Sequence, residues 1–282
     1  MPDEAKLPWY KRRKFIIPMA VLAVLFIFSL AVMLINYRFP HFFNLVVQED
    51  GSVAAEPLKE EGEVKAPPAD WTKGLMITNT MIVIGEELFS NWLPNDKIYP
   101  TILLDNPQNF QLGALEMMRY TSRSMRDTLF RLGSSEGMDP DCNAAFTLLS
   151  NDPKLWPFPR AESRYKEAVT KFKSLRTRLV AGDTTFYPRY DNLQDLIHQY
   201  MSLLGDINNR LANAPDNQRT RRALAGGTLP SGEQYGTVNV PWTEIDDNFY
   251  YAQGAAYVLR QMMVAVKYDF AKTLEDRNAV QQ

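Results

Sequence analysis

An uncharged apolar run from Phe15 to Tyr37 constrains the fold and the location of this chain more than any other feature. The run has 23 residues and follows a cluster of basic residues. Because a helix rises 1.5 Å per residue, the run would be about 34 Å long, enough to cross a hydrocarbon core of ~30 Å. No Asp, Glu, Lys, Arg or His interrupts it, so no proton or ion path is indicated. The sequence therefore predicts one transmembrane anchor over residues 15–37.

The distribution of charge predicts which side of the membrane the rest of the chain occupies. Five bases precede the run: Lys6, Lys11, Arg12, Arg13 and Lys14. Only Arg38 and His41 follow it closely, so the positive-inside rule keeps residues 1–14 in the cytoplasm and exports the remainder. A cleaved signal peptide would have a shorter apolar core and a small-x-small cleavage site. The run here is longer and no such site follows it, so we predict an uncleaved anchor. In a bacterium, the prediction is an inner-membrane protein with a periplasmic domain.

Composition excludes several classes of function. The chain has 31 Lys+Arg and 33 Asp+Glu, and five of these bases and two of these acids lie before Arg38, so the exported part has a net charge of −5. That acidic balance is unlike a nucleic-acid-binding domain. Cys142 is the single cysteine, so no internal disulfide can form. The two histidines, His41 and His198, have no metal-ligand spacing, and we predict neither a metal nor another cofactor.

The segment 38–69 is predicted to connect the anchor to the domain. Residues 39–47 are aromatic and apolar, which suggests an interfacial continuation of the anchor. Residues 48–70 are rich in Glu and Pro and poor in residues that could pack, so they are predicted to form a flexible acidic tether. Its average reach of roughly 25 Å would allow the domain to stand off the membrane.

Residues 70–282 are predicted to form an all-α, multi-helix periplasmic bundle. Apolar residues recur at helical spacing, and no strand-like alternation continues for any length. Six helices are predicted, over residues 70–92, 108–132, 139–149, 160–182, 191–212 and 243–277. Asp70 and Asp139 are the expected N-caps of the first and third. A long loop, 215–242, separates the last two helices and is of the length that often serves function.

No sequence motif of catalysis or nucleotide binding is present. Glu86 and Glu87 are the best acid–base candidates, because they lie near aromatic residues that could raise a carboxyl pKa, as in cell-wall glycosidases. The opposing interpretation places both on the polar face of an amphipathic helix. An enzyme acting on peptidoglycan glycan with Glu86 or Glu87 therefore remains an alternative prediction.

Several residues are candidates for binding a protein partner because they are aromatic or arginine residues in loops. They are Trp156, Phe158, Arg219, Arg221, Arg222, Tyr235 and Trp242. The helix 160–182 also has a basic stripe, which is either a contact surface or an ordinary solvated face. We predict a membrane-anchored interaction or scaffold protein, an accessory subunit of a cell-envelope or inner-membrane complex. A periplasmic ligand-binding or sensory domain is a further alternative, and self-association is possible.

Three stretches, together with the anchor, resemble a known family. They are Trp71–Pro94, Asp139-Pro140-Asp141-Cys142 and Trp156-Pro157-Phe158-Pro159-Arg160. On these residues the chain is similar to uncharacterised inner-membrane proteins of gammaproteobacteria, classed as a domain of unknown function. The resemblance implies a bacterial inner membrane and a periplasmic domain. It implies no activity, substrate or catalytic residue.

Overall fold

The structure, a computed structural model, describes residues 13–47, 53–57, 71–96, 100–131, 137–156, 160–213 and 245–277. Within these ranges the fold is helical apart from one small hairpin, so the predicted all-α class is confirmed. The helices are α1 (Arg13–Asn36), α2 (Leu75–Ser90), α3 (Asp105–Ser124), α4 (Pro140–Leu149), α5 (Ala161–Ala181), α6 (Tyr190–Asn213), α7 (Ile245–Asp269) and α8 (Ala271–Glu275). A 3₁₀ turn, Thr101–Leu103, precedes α3, and a π-helical turn, Met125–Leu129, extends it.

Helix α1 contains the apolar run and is long enough to span a membrane. Its segment Ile16–Asn36 is almost entirely unburied, so these apolar side chains face away from the rest of the protein. An exposed surface of this kind is unfavourable in water and favourable in lipid. Among the residues that the structure describes, α1 is thus the one helix long and apolar enough to span a membrane, at the predicted position.

A hairpin forms where the sequence analysis expected an interfacial segment and a tether. Strand β1 (Phe43–Val47) pairs antiparallel with strand β2 (Val53–Pro57), and Phe43 lies opposite Pro57. Phe43 and Leu45 are buried in the domain core. Their alternation gives β1 one apolar face, which the helices cover. The prediction of a flexible tether is therefore wrong for residues 53–57, whereas residues 58–70 lie outside the described part of the chain.

Helices α2 and α5 form one wall of the core. Five apolar residues at heptad spacing turn one face of α5 into the core, and all five are buried: Tyr165, Ala168, Phe172, Leu175 and Leu179. Gly85 allows α2 to come close, because a Cβ atom there would lie 2.5 Å from Cγ2 of Val169. Across the same contact, the rings of Phe89 and Trp92 lie 5.0 and 5.1 Å from that of Tyr165.

Helices α3 and α7 touch through their backbones. A Cβ atom on Gly113 of α3 would lie 1.9 Å from the carbonyl oxygen of Tyr251, and one on Gly254 of α7 would lie 1.9 Å from that of Phe110. Ala114 and Ala255, the next residues, are fully buried. Only residues without side chains permit this approach, and the sequence analysis did not single out either glycine.

The ends of the helices differ from prediction at α2, α3 and α7. Helix α3 begins at Asp105 rather than at 108, and it gives way to the π-helical turn at Met125 rather than continuing to 132. Helix α2 begins at Leu75, after Gly74 with a φ of 88°, rather than at 70; Asp70 itself lies outside the described residues. The single helix predicted over 243–277 is interrupted at Phe270, whose ring is buried against Phe186. By contrast, Asp139 caps α4 as predicted, with its side chain accepting from the N–H groups of Asp141 and Cys142.

Asp269 explains where α2 begins. Its carboxylate accepts hydrogen bonds from the N–H of Gly74 at 2.7 Å and of Ile77 at 2.9 Å, so the end of α7 caps the start of α2. The positive end of the helix dipole and these two donors favour the charged carboxylate. Complete burial acts in the opposite direction and outweighs them, raising the pKa of Asp269 to about 7.

The crossing of α3 and α7 should not tolerate a methyl group. Gly113→Ala or Gly254→Ala forces the two backbones apart, and we expect each to lower the free energy of unfolding by about 3 kcal/mol. Gly205→Ala in α6 is the matched control, because no atom of the described residues lies within 4 Å of its Cβ position. That change should stabilise the protein by up to about 1 kcal/mol. Urea unfolding of the detergent-solubilised protein measures all three, and equal effects would contradict the assignment.

The buried carboxylate should make stability depend on pH. Folded protein retains the proton on Asp269 at pH values where the unfolded chain has released it, so the free energy of unfolding should fall as pH rises from about 4 to about 7. Asp269→Asn removes this contribution, so the stability advantage of the wild type should shrink by up to roughly 4 kcal/mol over that interval. If the free energies of unfolding of the two proteins change with pH by the same amount over this interval, Asp269 does not titrate there.

Candidate functional site

The end of the anchor is bonded directly to the helical domain. The amide of Asn91, just after α2, donates to Oδ1 of Asn36 at 3.0 Å. Beside it, the amide of Asn106 in α3 donates to the hydroxyl of Tyr37 at 3.4 Å. Asn36 and Tyr37 occupy the last turn of α1 and its exit. The last residues of the anchor thus contact two helices of the domain.

An aromatic cluster follows immediately. The ring of Phe39 lies 5.5 Å from that of Tyr37, packs edge-on against Phe110 at 5.2 Å and stacks on Tyr250 at 5.6 Å. Phe110 and Tyr250 come from α3 and α7, the two helices that cross at glycine. Aromatic pairs of this geometry contribute about 1 kcal/mol each beyond the area that they bury.

The chain from His41 to Phe43 continues along α7. The hydroxyl of Tyr257 lies 3.3 Å from the carbonyl oxygen of His41, and the amide of Gln261 donates to the carbonyl of Phe43 at 2.8 Å. Arg260 covers the ring of Phe42 at 4.4 Å. We call residues 36–43, with these partners, the mount. The mount leaves no free linker between α1 and the domain over residues 36–43, whereas the predicted stand-off of the domain from the membrane stays a prediction.

The two glutamates considered for catalysis have different surroundings. Glu86 forms an exposed ion pair with Lys173 of α5 at 2.5 Å. The carboxylate of Glu87 accepts from the hydroxyl of Tyr257 at 3.3 Å, within the mount, and partial burial raises the pKa of Glu87. Neither residue lines the cleft between Arg119 and Phe146 or the larger cleft beside Asp139. Their catalytic role stays a prediction, with no geometry of a substrate site to support it.

A polar cleft lies at the end of the domain away from the mount. It has a volume of about 480 Å³ and is lined by Phe130, Gly137, Met138, Asp139, Pro140, Arg178, Asp183, Thr184, Thr185 and Tyr187. Met138, Asp183 and Thr185 are exposed at its rim. Phe130 in its wall joins Phe186 and Phe270, the aromatic group beside the start of α2. We refer to this feature as the distal cleft.

The floor of the distal cleft is a partly buried ion-pair network around the buried carboxylate of Asp139. Arg178 of α5 pairs with Asp139, and its second amino group lies 3.3 Å from Asp141. Thr184 donates to Asp139 at 3.0 Å, and Ser174 donates to Asp141 at 2.9 Å. Asp139 thus fixes the start of α4 to the end of α5. The sequence analysis identified Asp139 as a cap but not Arg178 as its partner, because 39 residues separate them.

Cys142 lies directly below this network. It is fully buried, and burial raises the pKa of its thiol well above the ordinary value. A thiol in this state is a poor nucleophile, and Cys142 serves as a small residue of the core. Within the described residues, no group of three or more His, Cys, Asp or Glu side chains could hold a metal ion.

The predicted partner-binding residues can be placed only in part. Trp156 is 42% exposed, on the loop that joins α4 to α5. Phe158, Arg219, Arg221, Arg222, Tyr235 and Trp242 lie outside the described residues, as does the whole of the loop 215–242. Much of the basic stripe of α5 serves internal contacts: Lys173 with Glu86, Arg176 with Asn79 and Arg178 with Asp139.

Residues 10–282 match the sequence model of DUF2333, a family described as an uncharacterized protein conserved in bacteria. The chain belongs to the DUF2333 family. The anchor, the mount and the distal cleft all fall within the matched residues, so they are parts of one family unit. No curated protein and no solved structure matches this DUF2333 chain. The predicted resemblance is confirmed as far as an uncharacterised bacterial family is concerned, whereas the gammaproteobacterial origin and the inner membrane stay predictions.

The ion pair of the distal cleft should stabilise the fold through the cap of α4. Arg178→Met leaves the carboxylate of Asp139, whose side chain is 5% exposed, without its cation. We expect a loss of roughly 3 kcal/mol in the free energy of unfolding. Lys166→Met, an exposed change on the same helix, should alter it by less than about 0.5 kcal/mol. Thermal unfolding of both variants in detergent checks this, and equal melting temperatures would refute the role of Arg178.

Proposed function

We propose that this protein is a membrane-anchored interaction subunit of the bacterial cell envelope. Residues 1–14 lie in the cytoplasm, α1 crosses the inner membrane and the helical domain stands in the periplasm, where it docks on another envelope protein. The charge asymmetry around the apolar run supports this orientation. The absence of recognisable catalytic motifs from the sequence supports a binding role rather than chemistry.

The mount is the observation that carries the proposal. A domain that merely needed to be kept at a membrane could be held by any flexible chain. Here the exit of α1 is fixed by Asn91, Asn106 and the Phe39 cluster instead. A fixed connection restricts the orientation of the domain relative to the bilayer, which lowers the entropic cost of binding a partner that is itself in the membrane.

The orientation also determines what the domain presents. The end of α2 lies at the mount, through Asn91, while its start at Gly74 is packed against Phe186, the neighbour of Tyr187 in the distal cleft. Helix α2 has 16 residues and is therefore about 24 Å long. The distal cleft therefore lies about 24 Å from the mount, measured along α2. Its exposed rim offers Met138, Asp183 and Thr185 to a periplasmic partner.

Loosening the mount should weaken partner binding without unfolding the domain. We would insert about eight Gly and Ser residues between Tyr37 and Arg38, a chain that spans roughly 15 Å. In a mild-detergent pull-down from native membranes, the partner recovered with the wild type should be reduced about tenfold by this insertion, because the lost orientation must be restored on binding.

An equal insertion between Glu60 and Glu61 is the matched control. It falls after β2 in the sequence and does not lengthen the connection from α1 to β1, so recovery of the partner should be unchanged. A second control replaces residues 13–35 of α1 by an unrelated membrane span and keeps residues 36–282, so that Asn36 and the rest of the mount are preserved; it should also retain the partner. Full recovery with the insertion at residue 37, or no specific partner with any version, would refute the proposal.

A further inference from the structure

Three exposed apolar side chains surround the point where α1 meets the domain. Tyr37 is 44% exposed, Leu103 is 56% exposed and Phe249 is 58% exposed. Large apolar groups at this exposure are unfavourable in water when they are grouped together. Their shared position therefore calls for a physical explanation.

Contacts in and around the mount place all three side chains at the same end of the domain. The 3₁₀ turn that contains Leu103 contacts α1, and Asn106, three residues after Leu103, donates to Tyr37 at the exit of α1. The ring of Phe249 packs edge-on against Tyr250 at 5.6 Å, and Tyr250 stacks on Phe39. Phe39 in turn lies 5.5 Å from Tyr37. Leu103 and Phe249 therefore belong to the same end of the domain from which the anchor leaves.

We propose that this end of the domain rests in the lipid interface, with Leu103 and Phe249 inserted among the headgroups beside the anchor. The inference rests on the proposed function, because it requires α1 to span the bilayer. The contact is continuous with α1, whose apolar surface already faces lipid in that arrangement. Tyr37 occupies the level at which tyrosine and tryptophan concentrate in membrane proteins.

The charges at this surface indicate the class of lipid. Among the described residues, the carboxylates of Asp105 and Asp246 lie near Tyr250, and Arg38 is an exposed base at the exit of α1. A surface with these acids gains little from anionic headgroups, in contrast to the basic surfaces that bind them. The contact is therefore apolar in character, and zwitterionic lipid is sufficient for it.

Depth-dependent fluorescence quenching tests the contact in the full chain. In a Cys142→Ala background, single cysteines at positions 37, 103, 249 and 180 receive an environment-sensitive dye, and each protein is reconstituted into zwitterionic nanodiscs with nitroxide-labelled lipid. Val180 is the matched control, since it is 61% exposed and lies near the end of α5 that packs beside the distal cleft. Dyes at 103 and 249 should lose roughly half their fluorescence, as at 37, because interfacial groups enter the bilayer by about 5–10 Å. The dye at 180 should lose almost none.

The outcomes separate this inference from the proposed function. Quenching at 37 but not at 103 and 249 would overturn the lipid contact and leave the anchor intact. Dyes at 103 and 249 that are shielded from a water-soluble quencher and also unreached by the lipid nitroxide would overturn it in favour of a protein partner on this surface. Absence of quenching at 37 would overturn both, because α1 would then not lie in the membrane. Quenching that requires anionic lipid would refute the apolar mode.

Discussion

The backbone contact between α3 and α7 is the constraint on which the other parts depend. Gly113 and Gly254 bring the two helices to the closest distance that their backbones allow. This approach sets Phe110 beside Tyr250 and Tyr257, which together receive the segment that leaves the anchor. The other end of α7 carries Asp269 to the start of α2. One crossing therefore positions both the mount and the cap that lies at the opposite end of α2.

Buried carboxylates hold the ends of helices in this domain. Asp269 caps α2 from a distant part of the chain, and Asp139 caps α4 while it pairs with Arg178 of α5. Each replaces solvent at N–H groups that a helix leaves unbonded at its start. These contacts tie consecutive and non-consecutive helices together, so the distal cleft has a rigid floor. The mount and the cleft are then two ends of one body, which is what an oriented binding domain requires.

The pattern of the sequence predicted the helices better than it predicted their connections. The helix predicted over 160–182, its end near Gly182 and the cap at Asp139 depend on local sequence, and each is confirmed. The segment 38–69 was predicted from composition alone, as an apolar interfacial stretch over 39–47 followed by an acidic tether. Phe43 and Leu45 nevertheless enter the core, because α7 offers hydrogen bonds and apolar surface that no local pattern can reveal. The long loop with most of the predicted binding residues lies outside the described part of the chain.

The sequence by itself determined the apolar helix, the all-α class and the family, because these depend on the order and spacing of residues along the chain. Tertiary structure alone decided that the anchor is bonded to the domain, that Gly113 meets α7 and that Arg178 neutralises Asp139. Each of these joins residues far apart in sequence. Their energies come from close packing and burial, and those exist only once the helices have assembled.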